Sequence, residues 1–173
     1  MSAAGAGGSG EAPIRPPGNH RALSRMVSPG RIVVWNEPVA KEAVLKALAS
    51  TIGSEAGHMS EDGLLEAIDR REAQGSTFLN EGVAFPHVRI EGLAVPFMAL
   101  GLTRAGVSDV ATDKPIEIVF LILTPAETPD AQVQLLGLAS RAAQNRYLIR
   151  ALRSVRTPEE AVRAIRDWEV PDA

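Results

Sequence analysis

The run Ile116-Glu117-Ile118-Val119-Phe120-Leu121-Ile122-Leu123-Thr124 is apolar at nearly every residue, and it limits the possible folds more than any other segment. A strand with one face in water alternates apolar and polar side chains, whereas a strand without alternation has to be covered on both faces. Phe97 to Thr103 is the second strand candidate of this kind. The apolar stretches here, Ile118 to Leu123 and Val95 to Leu102, fall well short of the roughly 20 residues needed to cross a bilayer. They are therefore predicted as sheet strands inside a protein, with no membrane insertion.

The segments around these strands read as helices. After Pro38, Val44, Leu48 and Ile52 recur every fourth residue until Gly53, the spacing of one helix face with a glycine stop. Ser60 is placed to cap a helix with Leu64, Leu65 and Ile68 inward and an exit at Gly75. Beyond Pro125, Val133, Leu136, Ser140 and Ala143 form one stripe, and Leu148, Ile149 and Leu152 begin another helical segment. Thr157, Pro158 and Glu160 supply a cap, a first-turn proline and a capping-box carboxylate for a last helix with Ala161, Ile165 and Trp168 inward. With a short β-branched strand at Ile32 to Trp35, the pattern predicts an α/β fold: a three-layer α/β/α sandwich whose mixed sheet is covered by helices on both faces.

A chain of 173 residues with 45% hydrophobic and 23% charged residues suits one domain with its own core. The first 30 residues are rich in Gly, Ala, Pro and Ser and lack apolar periodicity, so residues 1–30 are predicted as a disordered tail and 31–173 as the folded domain. Gly5, Gly7 and Gly10 match the G-x-G-x-x-G spacing, but no strand precedes them and no helix follows, so they reflect composition. The net charge of −3 provides no field for a phosphate polymer, and nucleic acid is not an expected partner. No basic start and apolar middle of an export signal is present, and there is no Cys. Both fit a cytoplasmic protein and remove thiol chemistry. No metal and no cofactor are expected, because no two histidines stand at ligand spacing and no P-loop or nucleophile elbow occurs.

The candidates for chemistry are thus histidines, carboxylates and hydroxyls. His20 lies in the tail and His58 in a loop after Gly57, neither with an evident fixed neighbour. A lone histidine is most often only a partly buried polar group, but His87 has a distinctive setting. From Ser76 onward the pattern is extended, with a turn at Asn80 to Gly82. Gly82-Val83-Ala84-Phe85-Pro86-His87 then reads as an alternating strand closed by a proline, with the imidazole at the strand end. Pro86 fixes its own φ and biases Phe85 toward extended geometry, so the backbone itself sets the ring's position.

Arg71-Glu72-Ala73-Gln74-Gly75-Ser76-Thr77, followed by Gly82 to His87, resembles the fructose/mannitol-type IIA domain of the bacterial phosphotransferase system. Lys41-Glu42-Ala43, Asp113-Lys114-Pro115-Ile116 before the apolar strand, and the Thr124-Pro125-Ala126 exit extend the resemblance to about residues 31–169. Among the branches it most resembles the nitrogen-regulatory IIA proteins. The resemblance implies that His87 is a phosphoacceptor, charged by a histidine-phosphorylated carrier protein without a metal, with Arg71 neutralising the phosphoryl oxygens and Thr77 donating a hydroxyl. It implies as partners that carrier as donor, and a regulatory target protein or a separate IIB component as recipient. Two positions depart from the pattern. Gln132 stands where a second active-site histidine is common, and it can donate a hydrogen bond but cannot titrate. Val88 replaces the usual small residue after the histidine. The alternative is a IIA-like interaction module that is not phosphorylated. Seven arginines from Arg141 to Arg166, against Glu159 and Glu160, read as a solvated helix face.

Overall fold

The structure, a computed structural model, describes residues 23–57, 59–78 and 82–169. Its centre is the strand β5 (Ile118–Pro125), every residue of which is buried. On one side it pairs antiparallel with β4 (Phe97–Thr103), which pairs in parallel with β1 (Ile32–Trp35). Two short strands, β2 (Val83–Ala84) and β3 (His87–Ile90), pair with β5 in parallel. The sheet is thus mixed, as expected, and β5 at its centre is covered on both faces, as the unbroken apolar run required.

Alternate residues of β5 enter opposite layers. Ile118, Phe120 and Ile122 join a core with α1 (Leu23–Met26), α4 (Pro129–Gln144), α5 (Arg146–Ser154) and α6 (Pro158–Glu169). Val119, Leu121 and Leu123 join a second core with α2 (Lys41–Ile52) and α3 (Glu61–Gln74). This is the expected three-layer α/β/α sandwich. The two-fold period of a strand, applied to a residue run apolar at both phases, generates both cores at once.

The local signals work as expected at several ends. Gly53 closes α2 at φ 49, a conformation that costs glycine little. Ser60 accepts a hydrogen bond from the Gly63 amide at 3.0 Å and caps α3. Thr157 accepts from the Glu160 amide at 3.2 Å, while the Glu160 carboxylate reaches the amide of Arg156 at 2.8 Å.

Three expectations are corrected. The folded unit begins before Arg31: Leu23 and Val27, four apart and so on one helix face, are both fully buried, and the Ser24 amide donates to Glu169 at 3.0 Å. Residues 1–22 of the expected tail lie outside the described residues. The stripe assigned to α4 is offset from the buried face: Leu136 and Ala143 are half-buried and pack at its edge. Ala131, Leu135, Leu138, Ala139 and Ala142 are buried, whereas Val133 is 71% exposed. Alanines let the helix approach the sheet closely, and their weak hydrophobic signal was outweighed by Val133 and Leu136. Leu65 packs against the second core as expected, half-buried beside the buried Leu64 and Ile68. Finally, His87 does not end a strand but opens one, β3, whose signal is the alternation of Val88, Arg89 and Ile90. Residues 79–81, within the expected turn, lie outside the described residues.

One charged residue is buried among those described. Glu72, on the last turn of α3, is 8% exposed. It accepts from Nζ of Lys41 on α2 at 3.0 Å, from the Thr77 amide at 3.1 Å, and from the Thr77 hydroxyl. Lys41 also donates to the Ser76 hydroxyl at 3.2 Å and lies over the Phe78 ring, 4.5 Å from its centroid. Burial pushes the Glu72 carboxyl up, but the hydrogen bonds from Thr77 and Lys41 and the Lys41 charge together hold it below its ordinary value. The cluster fastens the segment after α3 to both helices of this layer.

Two outcomes follow from these contacts. Leu138→Ala is expected to cost about 2–5 kcal/mol of stability, as for a core leucine, and Val133→Ala no more than about 0.5 kcal/mol; urea unfolding of both variants checks the orientation of α4. A carboxyl with a depressed folded-state pKa stabilises the fold above its unfolded pKa, and that contribution is lost as pH falls through the folded value. The stability of the protein should therefore fall more steeply below about pH 5, where carboxylates begin to protonate, than that of Glu72→Gln. Asp69, shifted upward by burial first and by Glu42 second, is common to both proteins and cancels in the comparison.

Candidate active site

His87 owes its position to a backbone that runs beside β5 twice. Gly82, at φ 82, turns the chain into β2, whose two residues lie beside Ile118 and Val119. Phe85 and Pro86 interrupt the strand, Phe85 stacking on Phe120 with ring centroids 5.8 Å apart. The Pro86 carbonyl accepts from the Ile122 amide at 2.9 Å, so the edge stays attached although proline has no amide to donate. His87 then opens β3 opposite Ile122.

The two ring nitrogens are in different situations. Nδ1 lies 2.7 Å from the Phe85 carbonyl oxygen. A carbonyl only accepts, so Nδ1 carries the proton and Nε2 of the neutral ring keeps its lone pair. Nε2 lies 3.4 Å from a terminal nitrogen of the Arg71 guanidinium, whose other terminal nitrogen donates to the Gly75 carbonyl at 3.0 Å. Two residues placed together by sequence motif alone are therefore neighbours in space, brought from α3 and β3.

They open onto a cavity of about 710 Å³ between α3, β3 and the start of α4. Gln132 lines it from α4 and Val88 from β3. The side-chain oxygen of Gln132 is buried and has no hydrogen-bond partner among the described residues. Val88 packs against the core beneath α2 and α3. Thr77 is placed differently from its expected role. It is not among the cavity-lining residues, and its hydroxyl, which has one proton to give, donates to Glu72.

Two further arginines, Arg70 and Arg89, line the cavity, with Glu91 as the one carboxylate. None of the three guanidinium groups lies within ion-pair distance of a carboxylate among the described residues. Among the described residues the cavity lining is thus positive and suited to an anion. Sequence reasoning passed over Arg70 and Arg89, although Arg89 stands two residues from His87 and shares its face of the strand. Among the described residues no three metal-ligating side chains converge, and no helix is long and apolar enough to cross a membrane. His20 and His58 lie outside the described residues.

Known proteins resemble this chain in sequence and in fold. A fructose-specific EIIA component of the phosphotransferase system from Haloferax volcanii is 29% identical over 119 residues, covering 67% of this chain and 77% of that one. A nitrogen regulatory protein from Pseudomonas aeruginosa is 27% identical over 146 residues, covering 84% of this chain and 95% of its own. The crystal structure of the nitrogen regulatory protein IIA-Ntr from Neisseria meningitidis matches the fold with a TM-score of 0.72 at 24% identity, over 83% of this chain and 98% of that one. Residues 26–168 match the model of the phosphoenolpyruvate-dependent sugar phosphotransferase system EIIA 2 family, and the chain belongs to that family.

Proposed function

We propose that His87 accepts a phosphoryl group on Nε2 from a histidine-phosphorylated carrier protein, and that the phosphohistidine serves mainly to change binding to a regulatory target. The observation that supports this most is the pairing of a tautomer held by the Phe85 carbonyl with an arginine at the free nitrogen. In the transfer, the P–N bond to the carrier's imidazole breaks as the Nε2–P bond to His87 forms. Positive charge develops on the His87 ring, and its Nδ1 proton remains directed at the Phe85 carbonyl. Donor and acceptor bonds are of one kind, so the exchange is nearly balanced. What the protein must supply is alignment and electrostatic stabilisation of the equatorial oxygens. Arg71 is suited to that second task, because a guanidinium offers parallel donors that match phosphoryl oxygens.

Gln132 favours regulation over fast relay to a IIB component. Its amide can hydrogen-bond to a phosphoryl oxygen across the cavity, but it has no proton to exchange near neutral pH. Similarity to a nitrogen regulatory protein over most of the chain supports the same reading. The competing reading, an interaction module that is never phosphorylated, draws on Gln132 and Val88. It leaves unexplained why an arginine with no carboxylate partner among the described residues is held at the free nitrogen of His87.

Incubation with phosphoenolpyruvate, the general phosphotransferase enzyme and its carrier protein, followed by intact mass spectrometry, should show one acid-labile phosphoryl group. His87→Ala should abolish it, and Arg71→Gln should slow its appearance by roughly 10²-fold or more, the cost of losing one preorganised donor to a developing oxyanion. Absence of label on the unaltered protein would favour the interaction module, and label that survives His87→Ala would move the acceptor elsewhere. Gln132→His should speed transfer; an unchanged rate would leave Gln132 without a part in it.

A further inference from the structure

Arg71 can serve His87 only if its guanidinium stays at the ring, and nothing in its own chemistry keeps it there. It is a long, half-exposed side chain on the last turn of α3, with substantial rotamer freedom to lose. Apart from His87 itself, its one hydrogen-bond partner among the described residues is the Gly75 carbonyl at 3.0 Å. Gly75 lies just past the helix, where its amide donates to the Glu72 carbonyl at 3.2 Å, and the residues after it are fastened further. There the Thr77 amide and hydroxyl are bound by Glu72, the Ser76 hydroxyl is bound by Lys41, and the Phe78 amide donates to that same Ser76 oxygen at 3.1 Å. An unbroken series of contacts therefore runs from α2 through a buried carboxylate to the peptide that holds Arg71.

The geometry points to Glu72, with Lys41 and Thr77, as the positioning residues of the phosphoryl-transfer site: by fastening Ser76 and Thr77 they fix the adjoining Gly75 carbonyl, which aims Arg71 at Nε2 of His87. This inference rests on the reading of His87 as phosphoacceptor, and it assigns Thr77 a task different from direct contact with phosphate. The three residues touch neither the phosphoryl group nor the reacting nitrogen.

The test uses the full chain with Glu72→Gln and the milder Thr77→Val, which removes the hydroxyl and leaves the amide. Two quantities are measured: the side-chain ¹⁵N signals of Arg71 in the unphosphorylated protein, assigned with Arg71→Gln, and the rate of phosphoryl acceptance against carrier concentration. In the unaltered protein the terminal nitrogens of Arg71 should give separate, slowly exchanging signals, which merge in both variants. Maximal acceptance rate should fall, by roughly 10²-fold for the larger displacement, with little change in the carrier concentration giving half that rate. If Glu72→Gln does not fold, Thr77→Val decides the matter. Unchanged Arg71 signals in a folded variant would overturn the inference, whether or not the rate falls, because a slower rate with Arg71 still held would mean another route. Should the unaltered protein accept no phosphoryl group, the functional reading fails, and the Arg71 signals still decide whether the clamp holds the guanidinium.

Discussion

The hydrogen bond of 2.7 Å between Nδ1 of His87 and the carbonyl oxygen of Phe85 determines which ring nitrogen is available for chemistry. A neutral imidazole has one proton and one lone pair, and fixing the proton on Nδ1 leaves the lone pair on Nε2. Everything else in the site is arranged around that nitrogen. The contact is local, between residues two apart, and it depends on a backbone bend that Pro86 stabilises through its fixed φ.

A local bend is useful only on a rigid support, and β5 provides it. Because both faces of β5 are buried, the strand cannot shift without opening two cores at once. The interrupted edge formed by β2 and β3 is attached to it above and below the bend. The acceptor ring is thus held by the sheet, while the guanidinium beside it is delivered from a helix end. Two independent elements meet at one nitrogen, and the fixed element is the one that bears the reacting atom.

Much of this was legible in the sequence. The lack of alternation in Ile116 to Thr124 required cover on both faces, and the two-sided architecture follows from it. Ser60, Gly53 and Thr157 marked helix ends because capping and left-handed glycine are local chemistry. The orientation of α4 was only partly legible, since alanine is both weakly hydrophobic and the residue that lets a helix lie close to a sheet. The buried start at Leu23 was hidden by its Gly- and Pro-rich neighbours. In the site, the motif joined Arg71 to His87, and the structure brings them to 3.4 Å. The binding of the Thr77 hydroxyl by Glu72 depends on the path of a loop, which no residue pattern specifies.

The most direct test of the central claim is heteronuclear NMR of the His87 ring, labelled with ¹⁵N, before and after phosphorylation. Before it, Nδ1 should show the shift of a protonated ring nitrogen and Nε2 that of an unprotonated one; afterwards, coupling to phosphorus should appear on Nε2. A ring protonated on Nε2 in the free protein, or phosphorus coupled to Nδ1, would contradict the assignment of the acceptor atom.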